Sequence, residues 1–216
     1  MSHPNSLQRW CRASAVVLAL TGAQGCHGAT SAHHDARAGA PDALTSAALT
    51  DQERVPRKFS EFLGKTVVFN VFFASCPSVC PRQTQALAEV QRRLSPALGQ
   101  RVQFVSLTVD PENDAPETMK TFARSNGARL HNWSFVRTSA SATTALAQQL
   151  ELFAGPRQAQ AAPAGHGTSV YLFDAGGHLM QRYAGSPLDA ARLAREIEQL
   201  DSWYRSREPE LDQARL

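Results

Sequence analysis

Two cysteines stand in the stretch Phe73-Ala74-Ser75-Cys76-Pro77-Ser78-Val79-Cys80-Pro81. A dense apolar run precedes them and a helical pattern follows, so the pair falls where a strand ends and a helix begins. Unpaired backbone N–H groups and the helix dipole at such a point favour thiolate over thiol. The thiolate is the nucleophilic and metal-binding form. Pro81 suits a helix start, where a missing N–H costs nothing. Three uses stay open: dithiol–disulfide exchange, a soft metal such as Cu(I) or zinc, and a structural disulfide. A bridge across three residues closes too small a loop to stabilise a fold much. A structural zinc wants four protein ligands, and the domain has no further cysteine. A peroxidatic cysteine would want Thr or Ser three residues before it and Pro seven before. Cys76 has Phe73 and Phe69 there, and Cys80 has Pro77 and Phe73, so that chemistry is set aside.

The elements that must position this pair are read from periodicity. Leu44 to Phe62 alternates loosely around Asp51-Gln52-Glu53, which predicts a hairpin. Thr66 to Phe73 is rich in β-branched and aromatic residues on both faces, as a buried central strand requires. Val102 to Val109 is a second such strand. Helical spacing covers 81–94, 116–125 and 141–152, with Gly127 a stop signal for the middle one. Trp133 to Val136 reads as a short strand. Ser169 to Phe173 and Leu179 to Tyr183 read as strands joined at Asp174-Ala175-Gly176-Gly177. A last helix follows, with Ser186 as its expected cap, Pro187 at its first position and Leu193, Ile197 and Leu200 as its apolar stripe. The order predicts an α/β, thioredoxin-like fold: a central mixed sheet with helices on both faces and an N-terminal hairpin extension. Residues 154–167 are low in complexity and read as a mobile loop.

Two thiolates leave Cu(I) wanting a third donor, and a histidine nitrogen suits it. His131 precedes a strand, and His178 sits at a hairpin turn, where solvation is expected. His166 lies in Gly165-His166-Gly167-Thr168, just before the strand at 169. In thioredoxin-like folds the loop before that strand lies beside the redox cysteines, which makes His166 the candidate. Asp110 ends the second central strand and is expected near the cysteines. It is a candidate for tuning them or touching a partner, with a turn-forming Asp-Pro as the plainer reading.

Composition bounds the rest. The chain has 216 residues, 43% hydrophobic and 19% charged, with a formal charge of +3. That balance excludes a disordered chain and a polytopic membrane protein, and is too weakly basic to suggest nucleic acid. Arg9 and Arg12 precede an uncharged apolar stretch, Ala13 to Ala23, shorter than the about 20 residues a membrane span needs. Residues 1–25 therefore read as a secretory signal. Cleavage after Gly25 would leave Cys26 first, where a lipid-modified cysteine would attach the chain to a membrane. Residues 26–43, with His27, His33 and His34, read as a flexible tether. The folded domain is expected over 44–204 and a C-terminal tail over 205–216. Cys11 would leave with the signal, and the charge would fall to +1.

Phe73 to Pro81, the stretch Thr108-Val109-Asp110-Pro111-Glu112-Asn113-Asp114-Ala115-Pro116-Glu117, and His166 with Tyr171-Leu172-Phe173-Asp174 occur in the order found in the Sco/SenC family. The chain resembles that family over residues 44–204. The resemblance implies a thioredoxin-like fold facing the periplasm of a bacterial envelope. It implies copper, as Cu(I) or Cu(II), held by Cys76, Cys80 and His166. It further implies a metallochaperone rather than an enzyme, with a copper donor and the copper-receiving subunit of cytochrome c oxidase as partners. The alternative is an envelope thiol-disulfide oxidoreductase using Cys76 and Cys80. Two departures stand out: Gly165 replaces the Asp common before the histidine, and the preceding loop is short and rich in Ala and Gln.

Overall fold

A computed structural model describes residues 39–150 and 168–213. Cys11, Cys26, His27, His33, His34, His166 and the 154–167 loop lie outside them. At the centre lie two strands made from the two predicted apolar runs, β3 (Thr66–Phe72) and β4 (Val102–Thr108). They pair in parallel over seven residues, Thr66 with Val102 to Phe72 with Thr108. β5 (Trp133–Arg137) adds to β4 in parallel. β6 (Ser169–Phe173) pairs antiparallel with the other side of β3, and β7 (Leu179–Ala184) with β6. The expected hairpin is β1 (Leu49–Asp51) and β2 (Pro56–Arg57), joined antiparallel to β5. The sheet order is β2-β1-β5-β4-β3-β6-β7.

Helices cover both faces, as the two-sided strands demand. On one face lie α2 (Val79–Arg93), α4 (Pro116–Ser125) and α6 (Ala190–Gln213), which bury Leu87, Val90, Met119, Phe122, Leu193 and Ile197 against Phe72, Phe104 and Trp133. On the other lie α1 (Asp42–Ser46), a 3-10 turn at Phe59–Phe62 and α5 (Ala140–Gln149), packed on Val67, Phe69 and Val71. A short α3 (Pro96–Gly99), capped by Ser95, leads into β4. Gly127 ends α4 as expected. It takes φ +79°, its N–H bonds to the Arg124 carbonyl, and the Ala128 N–H reaches back to Ala123, the paired bonds of a glycine C-cap.

Four expectations change. The chain joins the domain before residue 44: Ala40 N–H bonds to Gly177 O at 2.7 Å, and Leu44 in α1 is fully buried. α2 starts at Val79, so Cys80 is inside the helix and Pro81 is its third residue, still among positions whose N–H has no helical acceptor. Ser186 does not cap α6. The Ser186–Pro187 peptide is cis and precedes the helix, and Asp189 accepts from Arg192 N–H at 2.9 Å instead. The last helix runs on to Gln213 without a break at 204.

Candidate functional site

The loop from β3 to α2 carries both sulfurs. β3 ends at Phe72, where its carbonyl accepts Val109 N–H at 2.8 Å and locks the two central strands together. The chain then turns, with Cys76 N–H bonded to Phe73 O at 3.3 Å. Within the first turn of α2, Cys80 N–H points at Cys76 Sγ, 3.3 Å away. Cys76 thus acts as a cap on the helix that Cys80 belongs to. Cys76 is half-buried and Cys80 is buried, 1% exposed. An open groove of about 610 Å³ runs beside the loop, between Ala74 and Pro81 on one side and Thr118, Thr121 and Phe122 of α4 on the other.

Electrostatics separate the two thiols. Burial by itself raises Cys76, but N–H groups of Cys80, Ser78 and Val79, with the Cys80 thiol, outweigh it and bring Cys76 below its ordinary value. Burial pushes Cys80 up to about 12, aided by neighbouring Cys76 and by the charge of Asp114. The outer sulfur thus loses its proton more readily than the inner one. Both are soft donors, one just before α2 and one in its first turn, a set that fits Cu(I). Among the described residues, no group of three or more His, Cys, Asp or Glu is placed to hold a metal, so a third donor of those types would have to come from outside them.

Asp110 ends up in a turn. Its carboxylate accepts from Asn113 Nδ2 at 2.9 and 3.1 Å, and its carbonyl from Asn113 and Asp114 N–H. The acidic residue that holds the cysteine loop is Asp114, which is buried. It accepts Ala74 N–H at 3.1 Å and the Thr108 hydroxyl, while Thr108 Oγ1 accepts Asp110 N–H at 2.9 Å. Burial raises the Asp114 carboxyl above the usual carboxylate range, against the hydrogen bonds from Thr108 and Ala74. Asp114 stands four residues after Asp110 in the same acidic motif. Only the fold, which brings residue 114 to residue 74, distinguishes the two. His131 is exposed. His178 is half-exposed, as expected at the hairpin turn, with Nδ1 2.9 Å from Asp174 Oδ2.

The family model for SCO1/SenC matches residues 36–201. A SCO1 protein homolog of Bacillus subtilis (strain 168) is 33% identical over 73 residues, which is 34% of this chain and 37% of that protein. The chain spans less than two thirds of the length of the curated relatives it matches. Among solved structures, a SCO1/SenC family lipoprotein from Bacillus anthracis superposes with a TM-score of 0.61 at 30% identity, over 71% of this chain and 92% of that one. ScoI of Bradyrhizobium japonicum, solved with copper bound, superposes with a TM-score of 0.59 over 76% and 99% of the two chains. At 21% identity that likeness bears on the fold alone. The match over most of the domain, on a thioredoxin-like sheet with both cysteines at the end of its central strand, means that this chain belongs to the SCO1/SenC family.

Proposed function

We propose that this protein is an exported metallochaperone that carries copper on Cys76, Cys80 and His166 for assembly of the dinuclear copper site of cytochrome c oxidase. The supporting observation is the sulfur pair at the start of α2: a half-buried Cys76 just before the helix, its thiol brought below the ordinary value by backbone N–H groups, and a buried Cys80 in the first turn whose N–H points at Cys76 Sγ. Two thiolates and an imidazole are a donor set for Cu(I). Copper is the cargo, and it would be received from a donor and passed to the oxidase subunit. The lipoprotein relative, at 30% identity, supports an envelope location and a lipid on Cys26. Among the described residues no helix is long and apolar enough to cross a membrane.

The asymmetry of the two thiols also favours a second reading. An accessible low-pKa cysteine followed by a buried partner is the arrangement of a dithiol that attacks and then resolves a substrate disulfide. Copper loading and this exchange compete, because a Cys76–Cys80 disulfide has no thiolate ligands.

Anaerobic Cu(I) titration of the reduced protein against a competing chelator separates the readings. The metallochaperone binds one ion tightly, loses it in Cys76→Ser and binds more weakly in His166→Ala. Weak copper binding with fast reduction of a partner disulfide would favour the oxidoreductase, and an unchanged His166→Ala would remove the third ligand.

A further inference from the structure

A file of buried polar side chains crosses the apolar core beneath α2. Trp133 Nε1 donates to Ser106 Oγ at 2.9 Å, and Ser106 Oγ donates to Asn70 Oδ1 at 2.6 Å. Asn70 Nδ2 donates to Gln83 Oε1 at 3.0 Å, and Gln83 Nε2 donates to the Thr168 carbonyl at 2.7 Å. None of the four side chains belongs to a residue more than 2% exposed. Burying four polar groups costs stability unless every one is satisfied, and apolar residues of like size would pack this layer without that demand. The donors all run one way, and the file ends on the backbone of residue 168.

That end point is specific. β3 and β6 are last paired at Asn70 and Val170, so the sheet does not hold Thr168 to β3. Gln83 reaches it across Gly185. A methyl group at 185 would stand 1.9 Å from Gln83 Nε2 and 1.5 Å from Thr168 O, so the contact exists because residue 185 has no side chain. Gln83 is three residues after Cys80 in the same helix, and Thr168 is two residues after His166.

We propose that Gln83 is a positioning residue for the copper site, anchoring the chain just after His166 to the helix that carries Cys80. The inference rests on the three-ligand reading above. Its role is to limit where the imidazole can go, so that the third donor meets the sulfurs without a search. Outer groups that orient metal ligands typically change affinity by about 10- to 100-fold.

A double-mutant cycle on the full reduced chain tests it, with Cu(I) affinity measured by chelator competition for wild type, Gln83→Met, His166→Ala and the double variant. Gln83→Met is expected to weaken Cu(I) by about tenfold in the wild-type background and to change nothing once His166 is gone. An equal loss in both backgrounds would show that Gln83 acts on the cysteine helix alone, and overturns the proposal. So does unchanged affinity in a folded Gln83→Met. If His166→Ala binds like wild type, the three-ligand reading has failed first and Gln83 falls with it. Should Gln83→Met not fold, Gly185→Ala displaces Thr168 from Gln83 by another route. It is expected to show the same histidine-dependent loss, and a loss independent of His166 would again overturn the proposal.

Discussion

The two faces of β3 bury their side chains in opposite styles. On one, Val67 and Val71 join an apolar cluster in which Phe69, Phe59, Tyr171 and Phe173 make edge-to-face and tilted ring contacts, with centroids 5.9–6.4 Å apart. Tyr171 brings a hydroxyl to that layer, and it donates to the Leu150 carbonyl at 2.8 Å. On the other, Val68 and Phe72 flank Asn70, which sits in the polar file reaching from Trp133 to Thr168. The cysteine helix packs only on this second face. One face of the strand supplies cohesion. The other accepts a less stable kind of packing, whose hydrogen bonds have direction and so hold groups in particular places.

The largest effect that could break this comparison is at Phe69. It is fully buried and stacked edge-on against Phe59 and Phe173. Phe69→Ala removes a ring that neighbours only partly replace, and costs about 3–5 kcal/mol, read as a lower urea midpoint. Because this face holds no proposed ligand, the variant that remains folded in the cold is expected to bind Cu(I) with wild-type affinity. A folded Phe69→Ala with weakened copper binding would mean that the two faces do not divide the labour.

Asp114 sharpens the comparison from the polar side. Its folded carboxyl is raised by burial, so the folded protein holds that proton more tightly than the unfolded chain. Its contribution is therefore present below the ordinary carboxylate pKa and is lost as pH rises through the raised folded value. The isosteric Asp114→Asn has no such proton. The variant is expected to lose about 1–2 kcal/mol at acidic pH, where the protonated acid serves Ala74 and Thr108 well, and to close the gap as pH rises. Urea midpoints measured across the carboxylate range test this, and parallel profiles would refute it. The same substitution removes a charge that helps hold Cys80 up at about 12, so Cys80 is expected to titrate lower.

What could be read from the residues alone follows the same division. β3 and β4 were legible because an unbroken apolar, β-branched run has few other places to go. The loop chemistry was legible because Cys76 and Cys80 are neighbours in sequence. Asn70 and Ser106 look like blemishes in two strands until their side chains are seen to meet each other, Trp133 and Gln83. Asp110 outranked Asp114 because it ends the strand, and the bond from Asp114 to Ala74 spans 40 residues. Ser186 and Asp189 both carry the signature of a helix cap, and the fold used the later one. The misses in the core and at the cysteine loop are polar contacts between distant segments, which periodicity does not report, whereas the cap is a local choice between two like signals.

The smallest effect lies at the other end of β4. Arg101, just before that strand, grips Asp201 of α6 with Nε and Nη2 at 2.6 and 2.7 Å. The arginine side chain is 42% exposed, so solvent screens the pair and its worth is discounted to about 0.5–1 kcal/mol. The Arg101 hydrogen bond outweighs burial and holds the Asp201 carboxyl below its ordinary value. Its contribution is then present above the unfolded pKa and is lost as pH falls through the folded one. Asp201→Asn is expected to lower the urea midpoint slightly at neutral pH, less in high salt, and not at all in strong acid, with Cu(I) affinity unchanged. The two aspartates thus tilt the stability profile in opposite directions over the same range. If Asp201→Asn instead showed its largest loss in acid, burial rather than the ion pair would govern this carboxyl, and the contrast with Asp114 would collapse.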